Sequence, residues 1–540
     1  MRTLLLVVAL LAMADVAISL STIAPKVQRP YKRTFLQNVD RFLTKLQKPE
    51  EQIKGHTYLS GNYAPVKDIL VDQPVVVVEG AIPPGVEGMY VRNGPNPVHN
   101  NRLYHWFDGD AMTHHLRFKS DGTASYTNQF VPCTRHEFEK ELGEDFFPGL
   151  GEYTGILGLI KIILGPPMVE HYLGSDYGLI ANPPNTAVFM YRNKFYCLNE
   201  ANLPFECRIL PDGQLEGVGY EKFNGVLNYP ISAHPRVDAN GDLLFHSYSV
   251  SPDCQERDGP MKVGRYSAAN DKVEGYFAPV PDQEYVSFAH NLLFTSNYTI
   301  IYDCSVHFSP MAMFEGGSFF RHSPEYNLRW GIMPKTATRK EDITWVDTMA
   351  PGGLVHPLNS WEEEDGTIVI WTPFCESLLL DLESDEINKF SMVEFRINLQ
   401  TGEVTKEIID DTVNVEFSVV ETMGEFVRYG YTAIQDPSTP GEGSFTGFTV
   451  WDMEERKLAK KVLFDGVGGE PMIIQSKDGK SYVGAYVQKG DQSYFDLFDG
   501  VTTERMTRLK MPSRVPFGFH GLWISEKEFQ DHLKYHESKR

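Results

Sequence analysis

From Gly61 onward the chain alternates short runs rich in Val, Ile, Tyr and Phe with polar turn signals, and few stretches carry helical periodicity. The turns repeat one theme, in KSDGTASY, LPDGQLEG, DANGDLLF, LQTGEVTK and SKDGKSYV. Each sets Asp-Gly, Asn-Gly or Thr-Gly between two strand-like runs, and such pairs tolerate the positive φ that hairpins need. Many short antiparallel hairpins predict an all-β fold, either a β-propeller or a large sandwich. No linker interrupts the pattern between Gly61 and Glu526, so residues 56–525 read as one domain.

Other segments depart from this pattern. Residues 20–55 mix basic and apolar positions at roughly helical spacing, which predicts an amphipathic extension. Within 146–173, the run Ile156, Leu157, Leu159, Ile160, Ile162, Ile163 and Leu164 has Lys161 as its only charge. It reads as too short to span a bilayer, and fits either a buried core helix or a helix whose apolar face dips into a membrane surface. Residues 526–540 read as a polar tail. Residues 1–19, MRTLLLVVALLAMADVAIS, have the layout of a secretory signal peptide. An uncleaved anchor, or the first stage of a route into an algal plastid, are the alternatives, so the final compartment stays open between ER or exterior and plastid.

The 540 residues suffice for a large core, and 42% hydrophobic with 23% charged residues is an ordinary globular balance. A net charge of −22 excludes nucleic acid as the expected partner, because no basic stripe is present to displace counterions from phosphates. The six cysteines show no CxxC spacing, so neither a disulfide framework nor a thiolate metal site is expected. The sequon at Asn297 falls in a strand-like run, where glycosylation is not expected.

The candidate chemistry lies in four histidines in apolar settings: His234 in YPISAHPRVD, His290 in VSFAHNLLFT, His356 in GGLVHPLNSWE and His520 in RVPFGFHGLW. A lone histidine of this kind is usually a satisfied core residue; four of them suggest a metal site. They are 56, 66 and 164 residues apart, and radial repetition brings such distant strands to one axis, which favours the propeller. Imidazole suits Zn, Cu, Fe and Ni, and composition does not choose among them. Carboxylates holding the ring N–H groups are expected around such a site. Glu200 in YCLNEANLPF, Glu416 in VNVEFSVV and Glu470 in VGGEPMII are candidates, since solvation alone explains a glutamate poorly in those contexts.

These residues sit in motifs that occur together. They include LSGNYAPV at 59–66, YVRNGPNP at 90–97, HWFDGDAM at 105–112, NEANLPF at 199–205 and AHPRVD at 233–238. HFSPMAM at 307–313, HPLNSWEEED at 356–365, FRINLQTGEV at 395–404 and PFGFHGLW at 516–523 follow. In this set and order the chain resembles the carotenoid cleavage oxygenases, closest in pattern to the plant-type dioxygenases, over about residues 56–525. The resemblance implies a seven-bladed propeller with a helical cap over a central non-haem Fe(2+), one per chain. It implies that His234, His290, His356 and His520 are the ligands and that Glu200, Glu416 and Glu470 brace three of them. Phe107, Val355, Phe417 and Phe519 become tunnel walls. The implied activity is O2-dependent cleavage of one double bond of a carotenoid or apocarotenoid into two carbonyl products, with peripheral membrane contact to collect the substrate. Stilbene-type phenolic cleavage, retinoid-type isomerohydrolysis and a non-catalytic propeller that binds an apolar ligand are the alternatives. The chain departs from the family pattern at Asn291, where Asp usually follows the second ligand, at Ser418, where Pro is usual, and at Val355, where an aromatic is common.

Overall fold

The computed structural model describes residues 34–539 except 175, 226, 228, 248–260, 268, 271, 275–285, 310–319, 338, 381–387 and 436–444. The leader at 1–19, the start of the 20–55 extension and Cys254 lie outside the described residues.

The hairpins form a ring of seven antiparallel blades, as the propeller reading expected. Blade 1 consists of Gly88–Pro95, Ala111–Phe118 and Ala124–Phe130, completed by Gly521–Ser525 from the far end of the chain. Blades 2 to 7 follow in order at 187–220, 236–274, 293–351, 359–410, 415–468 and 472–510. The ring is closed without a covalent bond, by the register Gly88↔Ser525 through Arg92↔Gly521. On the outside, strand Gln73–Gly80 pairs with both Arg505–Lys510 and Ala124–Phe130, tying blade 7 to blade 1. Alternate side chains of each strand fill the space between blades. Val263, Ile300, Trp330, Ile370 and Phe395 from blades 3, 4 and 5 join in one buried cluster.

Among the described residues, five α-helices decorate the ring: α1 (Phe35–Gln47), α2 (Pro49–Ile53), α3 (Thr134–Leu142), α4 (Gly155–Leu173) and α5 (Glu526–Glu537). Helix α1 is amphipathic as expected, but its polar face is the one turned inward. Gln37, Asp40 and Thr44 are buried, while Phe35, Phe42 and Leu46 are 60%, 60% and 51% exposed. The reason lies in α4, whose Lys161 is buried against Glu152, Asp40 and Thr44. Arg102 completes the cluster by pairing with both Asp40 and Glu152. Four charges that satisfy one another can be buried together, whereas any one alone could not. At 19 residues, α4 has the length and apolar composition to cross a membrane, longer than the sequence run suggested. Lys161 and its partners instead pin one face of α4 to α1, and leave Ile156 and Ile163 61% and 49% exposed.

Two further expectations change. The 526–540 tail folds through Glu537 as α5, begun by a capping box between Ser525 and Glu528 and seated through buried Phe529, His532 and His536. His532 accepts from the Ile209 N–H of blade 2 at 2.9 Å. Asn297 lies in the exposed turn between Leu293–Phe294 and Tyr298–Asp303, not within a strand, and its Nδ2 donates to Glu362 at 2.8 Å.

Candidate metal centre

Each blade contributes one residue to a single cluster on the ring axis. His234, His290, His356 and His520 lie one to three residues before the first strands of blades 3, 4 and 5 and the closing strand of blade 1. Glu416 opens blade 6, Glu470 precedes blade 7, and Glu200 sits in the turn after the second strand of blade 2. The four histidines, separated by as much as 286 residues (520 − 234), offer ring nitrogens within 4.8 Å of one another. His234 Nε2 lies 2.9 Å from His290 Nε2, which lies 3.0 Å from His356 Nε2. Two nitrogens about 2.1 Å from one ion and at a right angle to each other would be about 3.0 Å apart, so the donors fit a shared metal.

The other ring nitrogens face carboxylates. His520 Nδ1 is 2.8 Å from Glu470 Oε1, and Glu470 Oε2 also accepts the Gly521 N–H at 2.8 Å. His356 Nδ1 meets Glu416 Oε2, while Glu416 Oε1 accepts the His356 N–H at 3.1 Å. His290 Nδ1 meets the Glu200 carboxylate. With Nδ1–H held by a carboxylate, Nε2 is left as the free lone pair. His234 is fixed differently: its backbone N–H donates to Ser232 Oγ at 3.2 Å, and that hydroxyl donates to the His290 carbonyl at 2.7 Å. Burial, then the neighbouring imidazoles, pushes His234 and His356 well below the usual histidine range, so both are neutral and able to ligate.

The loop carrying His520 is held from blade 1. Asn93 N–H donates to the His520 carbonyl and Asn93 O accepts the Phe519 N–H, both at 3.0 Å. Arg92 donates to Pro516 O at 2.5 Å. A Cβ at Gly94 would lie 2.7 Å from Gly518 Cα, so only glycine permits this approach. Part of the YVRNGPNP motif is thereby accounted for as a clamp on the fourth histidine.

Aromatic rings border the cluster. Phe417 stacks on His520 at 4.9 Å and packs on His356 at 4.7 Å between ring centroids. It reaches them because the strand bulges between Glu416 and Ser418, with Phe417 at φ +52°. Phe519 is buried between Trp106 and Phe107. Val355, beside His356, packs against the core of blades 3 to 5. Sequence reasoning missed Phe288, which stacks on His290 at 5.4 Å, along with Ser232 and Arg236. Phe288 lies two residues before a ligand, as Ser232 does, and that spacing was the available signal.

The family model described as retinal pigment epithelial membrane protein, RPE65, matches residues 63–525. The chain belongs to this family. Among curated relatives, the chloroplastic 9-cis-epoxycarotenoid dioxygenase NCED6 of Arabidopsis thaliana is 28% identical over 88% of this chain and 82% of its own. The carotenoid 9,10(9',10')-cleavage dioxygenase 1 of the same plant is 27% identical over 95% and 98%. Two solved structures share the fold. The Pseudomonas brassicacearum lignostilbene dioxygenase gives a TM-score of 0.71 at 19% identity, covering 87% of this chain and 98% of its own. Cobalt-substituted Synechocystis ACO gives 0.69 at 21%, covering 88% and 99%.

Proposed function

We propose that this member of the RPE65 family is an Fe(II)- and O2-dependent dioxygenase that cleaves one double bond of a carotenoid or apocarotenoid, with one iron per chain. The observation that carries the reading is the buried four-histidine cluster braced by three glutamates on the propeller axis. Four neutral ligands leave a divalent ion its full charge, and the carboxylates behind them orient the rings and offset that charge. Iron bound there supplies the oxygen chemistry. The protein's part is to hold the ligand rings, position the polyene and exclude water, and Phe107, Phe417, Phe519 and Val355 are the residues proposed to line its path. No side chain is needed as an acid or base.

Carotenoids reside in lipid, and the outward face of the α1–α4 pair suits collection from a bilayer. Phe35, Phe42, Leu46, Ile156 and Ile163 are each about half exposed or more. At about half of the ~1.5–3 kcal/mol for fully burying such a side chain, the five together give roughly 5 kcal/mol, enough for reversible attachment. The charged lattice behind them keeps the pair rigid without spending apolar surface on the protein interior.

The test is to incubate the iron-loaded protein with carotenoids, apocarotenoids and stilbenes in liposomes and to read product masses. Paired carbonyl fragments of a polyene, formed only with O2 and iron, are expected. Stilbene fragments alone would replace the reading with phenolic cleavage, and an isomerised alcohol without O2 would replace it with isomerohydrolysis. A protein without metal and without products would be a binding propeller.

A further inference from the structure

Arg236 stands two residues after His234 and opens the first strand of blade 3. Its Nη2 donates to Asn291 Oδ1 at 3.0 Å, and Asn291 directly follows His290. The guanidinium therefore reaches from blade 3 to blade 4 alongside two of the four histidines. Its acceptor is a neutral amide oxygen already engaged by the Leu292 N–H at 2.9 Å. Arg236 Nε is buried without an acceptor. Among the described residues no carboxylate forms an ion pair with it, whereas of the buried arginines Arg102, Arg135 and Arg508 each have one, and Arg92 instead donates to the Pro516 carbonyl.

Arg236 is half-buried with its Nε shielded from solvent, and its position explains what its charge acts on. An arginine guanidinium stays cationic at physiological pH, and this one is bonded to the residue that directly follows His290. Its field falls on the cluster itself.

We propose that Arg236 is a positioning charge that holds the metal of the four-histidine site in its lower oxidation state, with Asn291 keeping that charge unneutralised. A fixed cation beside the site penalises each unit of positive charge on the ion, so it opposes oxidation and weakens metal affinity at once. The inference rests on the proposed metal site.

Three variants test it: Arg236→Met removes the charge, Arg236→Lys keeps it, and Asn291→Asp places a near-isosteric carboxylate on the guanidinium. Cobalt(II) affinity of each apo protein is measured by chelator competition, and the potential of the iron-loaded proteins by redox titration. Arg236→Met and Asn291→Asp are expected to bind cobalt about tenfold more tightly than the parent. Their potentials should fall by about 30 mV, the one-electron equivalent of roughly threefold. Arg236→Lys should match the parent in both. A merely structural role predicts the opposite sign, since loosening the site weakens binding. Parent-like or weaker cobalt binding in Asn291→Asp overturns the proposal, and that variant decides if Arg236→Met fails to fold. A parent that binds no cobalt at all would instead refute the metal site on which the proposal stands.

Discussion

Glu416→Gln should weaken metal retention more than the same change at Glu200. Glu416 is 6% exposed and accepts from His356 Nδ1, the His356 N–H and, at 2.6 Å, the Phe417 N–H. Glutamine keeps one oxygen but turns an NH2 donor toward another donor, so at least one of these bonds is lost. Bonds to a charged, buried group are worth about 1.5–3 kcal/mol each, and every 1.4 kcal/mol is a factor of about ten. One lost bond then predicts a loss of roughly 10–150-fold, overlapping the ~10–100-fold typical of groups that orient metal ligands. The Glu200 side chain is 21% exposed, so solvent can replace part of what its charge provides and the loss should be smaller. Glu470, 6% exposed with two acceptor bonds, should fall near Glu416. Chelator competition with cobalt(II), read beside the melting temperature of each apo protein, separates lost affinity from lost fold. The reasoning fails if Glu200→Gln is the most damaging of the three, or if all three retain cobalt like the parent.

His290→Ala should fold yet lose metal and turnover together, and full iron content in that variant would remove His290 from the ligand set. Replacing Phe42 and Ile163, both outward-facing, by Glu should leave the unfolding free energy within about 1 kcal/mol of the parent's, since exposed positions tolerate change; liposome co-flotation should fall, and parent-like flotation would exclude this face as the membrane contact. Glu152→Gln should cost about 3–5 kcal/mol in a denaturant titration, because it leaves two buried cations, Lys161 and Arg102, with Asp40 as their one remaining carboxylate; a loss below 1 kcal/mol would mean that solvent reaches the cluster. Burial, reinforced by Glu139, raises the Asp145 carboxyl to about 7, above its unfolded value of 3.8. Its contribution to stability is therefore complete below pH 3.8 and fades as pH rises through 7, so Asp145→Asn should lessen the parent's loss of stability over that window; an unchanged pH slope would refute the assignment.

The seven residues of the cluster were legible because each is a polar residue in apolar surroundings, where the solvated alternative is weakest. The ring was legible as hairpins, since Asp-Gly and Asn-Gly turns act locally. What sequence did not carry was orientation. Helix α1 has an amphipathic period, and the period is the same whichever face turns inward; only the position of Lys161, more than a hundred residues away, decides it. Arg236 likewise has no local signal, because its significance is the absence of a carboxylate across the blade boundary. Helix α5 was readable in principle, from Ser525 and Glu528 as a capping box ahead of Phe529, but the charged residues around them resemble a solvated tail.

The closure of the ring and the completion of the metal centre are one event in this chain. His520 is the residue immediately before Gly521–Ser525, the strand that enters blade 1, and its carbonyl is bonded to Asn93 within the partner strand. Glu470 accepts from both His520 Nδ1 and the Gly521 N–H, so one carboxylate holds the fourth ligand and the start of the closing strand together. The first three histidines come from consecutive blades 3, 4 and 5 and need no closure to be neighbours. The fourth reaches the axis only when the two ends of the chain have paired. A metal bound by all four therefore bridges the seam, and its binding energy adds to the stability of the closed ring, since ligation to the native state alone shifts folding by mass action.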